Sequence, residues 1–265
     1  FHRKIMVIKY GGSILGEEKI RRGVLEDIVF LSYMGLCPVL VHGGGPTISE
    51  RMKSEGLKTE FVNGMRVTDE KTLAIVEEEL DNLNQMIVSE IQELEGKAVG
   101  FSGKEKNVII ARKKLEGGID LGLVGEVEAI EAKPIFTQTR DYTICVICPM
   151  GKGRDGKMYN INADDAAASI ASSLNAEKLV VLTNVKGIMR SVNEPSSFIS
   201  TLTIDEAKGL IKEKVVQEGM IPKVKACIAA LEGSVKKTHM IDARIPHGLL
   251  LEIFTKEGVG TEIIK

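Results

Sequence analysis

Two apolar runs near the start of the chain, IMVIK (residues 5–9) and CPVLV (37–41), each break off into glycines. The first closes on Gly11 and Gly12, the second on Gly43, Gly44 and Gly45. Between them, residues 17–34 space their apolar positions at helical intervals and stop at Gly35. Pro46 then opens another helix, at a position where its missing N–H does no harm. Strand, glycine turn, helix, strand is the pattern of βαβ units, and it commits the chain to a mainly parallel sheet covered by helices.

The alternation continues along the chain. A long helix is predicted from Thr68 to Glu95, with Thr68 as its cap and Asp69 and Glu70 in the first turn, where the helix dipole favours negative charge. Residues 97–137 carry shorter runs, VIIA (108–111) and VGEVEAI (124–130), which read as β-hairpins beside the main sheet. ICVIC (144–148) reads as a buried strand. Then come a helix at 164–174, a strand at 178–182, helices at 205–214 and 222–232, a strand at 238–242 and a short helix from 247. No low-complexity linker divides the halves, so two closely joined lobes are expected, residues 1–175 and 176–265.

Composition excludes several classes. Net charge is −2 with acids and bases interleaved, which argues against a large nucleic-acid footprint. Aromatics make up 4% and tryptophan is absent, so base-stacking platforms are not expected either. No apolar run is long enough to span a membrane. The start, FHRK followed by IMVIK, is too short for a signal peptide, and a cytoplasmic location is the simple expectation. Cys145 and Cys148 form a C-x-x-C, but on a strand they point to opposite faces, so neither they nor Cys37 and Cys227 suggest a metal site.

The chemistry gathers at strand ends. In an open α/β sheet, ligands bind beyond the carboxyl ends of the strands. Lys9 stands there with Gly11, Gly12 and Ser13, and Gly43 to Gly45 stand at the end of the next strand, just before a helix. Together they offer one positive charge and two sets of backbone N–H donors, an anion pocket built from two turns. Each glycine cluster alone is equally a tight turn. Neither matches G-x-G-x-x-G, and no G-x-x-x-x-G-K-[ST] occurs, so any phosphate is held another way.

Further on, NINADDAAA (160–168) places Asn162 as a helix cap and Asp164 and Asp165 in the first turn. A carboxylate such as Asp164 could also keep two lysines directed at a phosphate. The candidate for the second is Lys223 in EGMIPK (218–223), at the start of a helix, a poor place for a cation unless an anion is present; a solvated lysine is the alternative. His42 is expected to pack or to support its neighbours rather than to move protons.

Taken in order, KYGG (9–12), VHGGGP (41–46), FVNGMRVTD (61–69), VGEV (124–127), NINAD (160–164), GMIPK (219–223) and PHGLLLE (246–252) resemble the amino-acid kinase family, on the branch that phosphorylates N-acetyl-L-glutamate. The resemblance spans almost the whole chain. It implies an open αβα sandwich with a mainly parallel central sheet. It also implies transfer of a phosphoryl group from ATP, with Mg2+, to the acceptor's side-chain carboxylate, in arginine biosynthesis. The N-terminal lobe would bind the acceptor and dimerise, and the C-terminal lobe would bind ATP. By the family pattern Lys9 and Lys223 stabilise the transferring group and Asp164 orients both. Gly11, Gly12, Gly44 and Gly45 supply backbone N–H groups. Arg66 pairs with the acceptor's α-carboxylate, Asn160 holds the acceptor with it, and Thr183, Lys186 and Gly219 lie on the nucleotide side. Such a reaction needs no general base, because a carboxylate is already ionised at neutral pH.

Three departures and two alternatives accompany the resemblance. Thr183-Asn184-Val185 stands where Thr-Asp-Val is frequent, and Gln217 and Glu218 stand before Gly219 where a glycine is frequent, which would stiffen the loop on the ATP side. Only Phe1 to Lys4 precede the first strand, whereas arginine-inhibited relatives carry an extra helix there. KYGG, HGLLLEIF (247–254) and GVGT (258–261) nevertheless look like the arginine-inhibited branch, with His247 either a helix-start residue or part of an arginine site. The expectation is a homodimer for this chain, and an arginine-inhibited hexamer for the intact protein. The alternatives are a kinase for carrier-bound α-aminoadipate or glutamate, and a non-catalytic nucleotide-binding protein of the same fold.

Overall fold

Ile5–Tyr10 (β1) is buried at every position after its first, as a central strand of a parallel sheet covered on both faces must be. The computed structural model describes residues 2–103, 106–191, 194–216 and 219–265. After β1 come α1 (Glu18–Tyr33), β2 (Cys37–His42), α2 (Gly45–Ser54), the hairpin β3 (Phe61–Val62) and β4 (Met65–Arg66), and α3 (Glu70–Glu93). Next are β5 (Ala98–Phe101), β6 (Ile109–Glu116), β7 (Ile119–Ile130), α4 (Ala132–Thr139), β8 (Ile144–Ile147), β9 (Met150–Gly153), β10 (Met158–Ile161) and α5 (Ala163–Ser173). The chain ends with β11 (Lys178–Thr183), β12 (Thr201–Thr203), α6 (Ile204–Lys212), α7 (Ile221–Glu232), β13 (Lys237–Asp242), α8 (Gly248–Phe254) and β14 (Thr261–Ile264).

The main sheet runs β12-β14-β13-β11-β1-β2-β8-β5 and is parallel from β13 to β5. β14 is antiparallel to β13, with β12 parallel to β14. The chain winds from β1 outward through β2, then returns to add β11 on β1's other side, so the winding reverses at β1. That reversal is where doubly wound sheets open a crevice beyond the strand ends. The sheet therefore crosses the 175/176 line without a break.

Side-chain alternation divides the core. Met6, Ile8 and Tyr10 join the apolar cluster with α1, α3 and α8, while Val7 faces the cluster built with α5, α6 and α7. Lys9 shares Val7's face, which brings it to α5. A buried stretch of small residues, Ala166 to Ala168, lets α5 lie close on the strands.

Four expectations change. Asp69, not Thr68, caps α3, its carboxylate accepting the Thr72 N–H at 2.7 Å. Thr68 is instead fully buried, its backbone paired with residues 121 and 123 of β7. Residues 97–137 are only partly hairpin: Ala98–Phe101 joins the main sheet beside β8, and Ala132–Thr139 is helical. β6 and β7 do pair antiparallel, but they close with β9 and β10 into a small barrel. β3, β4, β9, β10, β12 and β14 have no counterpart in the predicted order. Cys145 and Cys148 fall in different clusters, and all four cysteines are buried free thiols. The Gln217–Glu218 departure lies outside the described residues, as does Phe1. Among the described residues no helix is long and apolar enough to cross a membrane.

Candidate functional site

The parallel register brings β1, β2, β11 and β13 to a common edge, with Tyr10 opposite His42 and Thr183 opposite Asp242. At that edge the two glycine turns touch backbone to backbone. A Cβ on Gly11 would stand 3.2 Å from Gly43 Cα and N, tighter than side chains ordinarily pack, so glycine suits the approach. Gly12 has φ of +83°, a left-handed conformation that glycine adopts without strain. Gly43 in turn lies beside Ala163 at the start of α5. Gly44 is buried and precedes the first turn of α2, whereas Gly45 is exposed.

Two lysines from opposite ends of the chain meet one carboxylate there. Lys9 Nζ lies 2.9 Å from Asp164 Oδ1, an ion pair rather than an aligned hydrogen bond. Lys223 Nζ lies 3.8 Å from Asp164 Oδ2 and donates to the Gly219 carbonyl at 3.4 Å. The Lys9 and Asp164 side chains are each 7% exposed and that of Lys223 is 23% exposed, so water screens this group little. Asn162 fixes the carboxylate's backbone by capping α5, its Oδ1 accepting the N–H groups of Asp164 at 2.8 Å and Asp165 at 3.2 Å.

The electrostatics have a clear sign. Burial alone would push the Asp164 carboxyl up, but Lys9 and Lys223 outweigh it and hold it below the usual carboxylate range. Burial lowers the Lys223 ammonium, Asp164 opposes that, and Lys9 adds to it. The cluster keeps one net positive charge. The N-termini of α2, α5 and α7 all begin around it, adding their positive dipole ends. An anion bound here would meet both terms at once.

A second cation sits at the β3–β4 hairpin. Arg66 is 6% exposed, and its Nη2 donates to the Gly45 carbonyl at 3.0 Å and Ser49 Oγ at 2.8 Å. Its Nη1 meets Met52 Sδ at 3.2 Å, and the guanidinium stacks 4.8 Å from the Phe61 ring centroid. Burial lowers its pKa, and among the described residues no carboxylate pairs with it. Asn160 on β10 donates to Thr68 Oγ1 at 3.2 Å, and Thr68 donates to the Arg66 carbonyl at 2.7 Å. Residues far apart in sequence are thus joined in one chain of hydrogen bonds. Ser49 and Thr68 escaped sequence reasoning, because a lone hydroxyl on a helix or before a capping acid carries no pattern of its own.

The remaining candidates lie beyond β11. Thr183 is buried, and its Oγ1 accepts the Val185 N–H at 3.0 Å, which turns the chain out of the strand. Val185, Ile188, Met189, Val215, Val216 and Met220 line an apolar slot next to Gly219. Lys186 is exposed and turned onto the Phe198 ring, 4.7 Å from its centroid. A separate cleft between α1 and α8 contains His247, whose Nδ1 lies 2.7 Å from Asp27 Oδ1.

Residues 4–242 match the amino acid kinase family. The acetylglutamate kinase of Petrotoga mobilis is 50% identical over 100% of this chain and 89% of its own length. That of Caldanaerobacter subterraneus subsp. tengcongensis is 48% identical over the same shares. Among solved structures, the N-acetylglutamate synthase of Neisseria gonorrhoeae, complexed with coenzyme A and N-acetyl-glutamate, superposes with a TM-score of 0.89 at 28% identity. That match covers 100% of this chain and 60% of the synthase.

Proposed function

The chain belongs to the amino acid kinase family, and from that premise we propose that it transfers the γ-phosphoryl group of ATP to the side-chain carboxylate of N-acetyl-L-glutamate, an early step of arginine biosynthesis. The observation that carries the proposal is the buried Lys9–Asp164–Lys223 cluster at the meeting point of three helix N-termini. A carboxylate oxygen of the acceptor attacks the γ-phosphorus. The bond from phosphorus to the bridging oxygen breaks, and its electron pair leaves with ADP. The acceptor is already ionised, so no proton has to move and no catalytic base is needed.

What remains for the protein is positioning and charge. Lys9 and Lys223 neutralise the equatorial oxygens of the moving phosphoryl group, and Asp164 holds both ammoniums in place. The N–H groups of Gly12, Gly44 and Gly45, with Gly11 allowing the close turn, line the same hollow. Each preorganised donor of this kind is worth about 2.7–4 kcal/mol in the transition state. Arg66 receives the α-carboxylate of the acceptor, and Asn160 orders the wall beside it. The apolar slot next to Gly219 takes the flat nucleobase, with Thr183 shaping the turn above it; Lys186 serves the rim. Among the described residues no group of three metal-ligating side chains occurs, and Asp164 is committed to its lysines. Mg2+ would enter with ATP as the MgATP substrate.

Incubation with MgATP and N-acetyl-L-glutamate in the presence of hydroxylamine tests the proposal. It should yield the acyl hydroxamate, and equal or better yield with carrier-bound α-aminoadipate would replace the acceptor. No ATP turnover with any acceptor would leave a nucleotide-binding protein. A cytoplasmic homodimer, with acceptor binding in residues 1–175 and ATP binding in 176–265, completes the proposal. An arginine-inhibited hexamer built from such dimers is supported by the PHGLLLE stretch, where His247 caps α8 and reaches α1. Light scattering with and without arginine separates these states, and dimers indifferent to arginine would overturn the second.

A further inference from the structure

We propose that His42 is a positioning residue for the phosphoryl transfer: its Nδ1–H holds the Gly43–Gly44 peptide so that the Gly44 N–H faces the transferring group. This rests on the phosphotransfer reading above. His42 is the last residue of β2 and has no exposed surface. Its Nδ1 lies 3.2 Å from the Gly43 carbonyl oxygen. Its Nε2 lies 3.1 Å from Asn84 Nδ2 and 3.3 Å from Cys148 Sγ.

The neighbours decide the tautomer. The Asn84 amide has two N–H bonds, and one goes to the Val146 carbonyl at 3.0 Å. The other meets His42 Nε2. The single Cys148 proton is directed at the Leu80 carbonyl, 3.3 Å away. Nε2 is therefore an acceptor, and the ring proton is left on Nδ1, aimed at the Gly43 oxygen. Burial pushes the imidazole down to about 4, so it stays neutral where the kinase works.

Peptide geometry carries the effect to the site. A trans peptide is planar, and its C=O and N–H point opposite ways. Anchoring the Gly43 carbonyl on the imidazole turns the Gly44 N–H away from it, toward the hollow at the start of α2. The peptide lies between two glycines, so little steric hindrance resists its rotation. Bulk cannot be added to stiffen it: a Cβ on Gly44 would come within 2.6 Å of Leu80 Cδ2, itself a buried side chain. Restraint has to come from outside the loop, and His42, buttressed by Asn84 of α3, is placed to supply it.

Paired variants test this. An asparagine amide can stand where Nδ1 stands, whereas a glutamine amide reaches the Nε2 position and leaves the Gly43 carbonyl without its donor. His42→Gln should lower kcat by about 10–100-fold with KM for ATP and acceptor within about twofold, as expected for a contact tightened only in the transition state. His42→Asn should recover most of that loss at a similar melting temperature. Nitrogen-15 NMR of the wild-type imidazoles should show one ring as the neutral Nδ1–H tautomer that keeps this form from neutral to mildly acidic pH. A role in packing alone predicts equal kcat for both variants, which overturns the proposal, as does an Nε2–H tautomer for His42. Wild-type protein that forms no hydroxamate overturns the phosphotransfer reading and this role with it; active wild type with unimpaired His42→Gln overturns this role alone.

Discussion

The two anion-facing regions of the molecule handle their charge in opposite ways. At the end of β1, two ammoniums share the buried Asp164 carboxylate, so the cluster carries its own counter-ion. At the β3–β4 hairpin, Arg66 is as deeply buried, yet carbonyl, hydroxyl, sulfur and ring are its neighbours and no acid answers it among the described residues. A buried charge without a partner is costly, and removing one member of a buried pair destabilises by several kcal/mol. On the proposed reading, the lysine cluster carries its counter-ion before any ligand arrives, while the arginine site would gain its missing charge from the acceptor. Phosphoryl transfer needs the first property, because its donors must stand still while charge moves. Capture of an acceptor needs the second, because the unpaid desolvation becomes binding selectivity for an anion.

That contrast can be broken by substitution. Asp164→Ala leaves two ammoniums facing each other, and stability should fall by about 3–5 kcal/mol, measured by chemical denaturation. Lys9→Ala or Lys223→Ala should lower turnover by roughly 100- to 1,000-fold, with a much smaller change in apparent acceptor affinity, measured by steady-state kinetics. Arg66→Met should behave in the reverse sense. Its acceptor KM should rise by about 10–100-fold, the size expected for a charge-assisted pair, while the ligand-free melting temperature stays level or rises. An acceptor whose α-carboxylate is amidated should show no difference between wild type and Arg66→Met; an equal penalty on both acceptors would remove Arg66 from the acceptor site.

The smallest effect is in pH. Because the lysines hold the folded Asp164 carboxyl below its ordinary value, its contribution to stability is complete above that value and is lost as pH falls through the folded one. Asp164→Asn should therefore flatten the acid limb of a stability–pH profile, and an unchanged limb would show that other carboxylates set it. Arg66 has no such partner among the described residues, so Arg66→Met should leave the limb as it is in wild type.

Legibility in the sequence followed the range of the interactions. The strands β1, β2 and β11 were readable because burial on both faces demands largely apolar runs, and the helices between them because their period is local. β12 and β14 were not, since strands of three and four residues carry too few positions to declare a period. Thr68 misled for a different reason. Its side chain suits a cap, but pairing with β7 claimed its backbone first, and the next residue took the cap. Lys9, Asp164 and Lys223 were candidates from their local positions and were joined only through the ordered motifs, because nothing in a linear pattern says that residues over two hundred positions apart will share one carboxylate.

By itself the sequence determined the local terms: which segments become strands and helices, where glycines and prolines allow turns, that Asn162 can cap, and that Lys223 sits at the wrong end of a helix for a cation. Tertiary structure alone decided what those features face. Register and winding put Lys9 on the α5 side of the sheet, left Arg66 buried with no acid beside it among the described residues, and set an imidazole against a Gly–Gly peptide. Caps and periods are fixed within a few residues, whereas charge compensation depends on distances through space that no stretch of chain encodes alone.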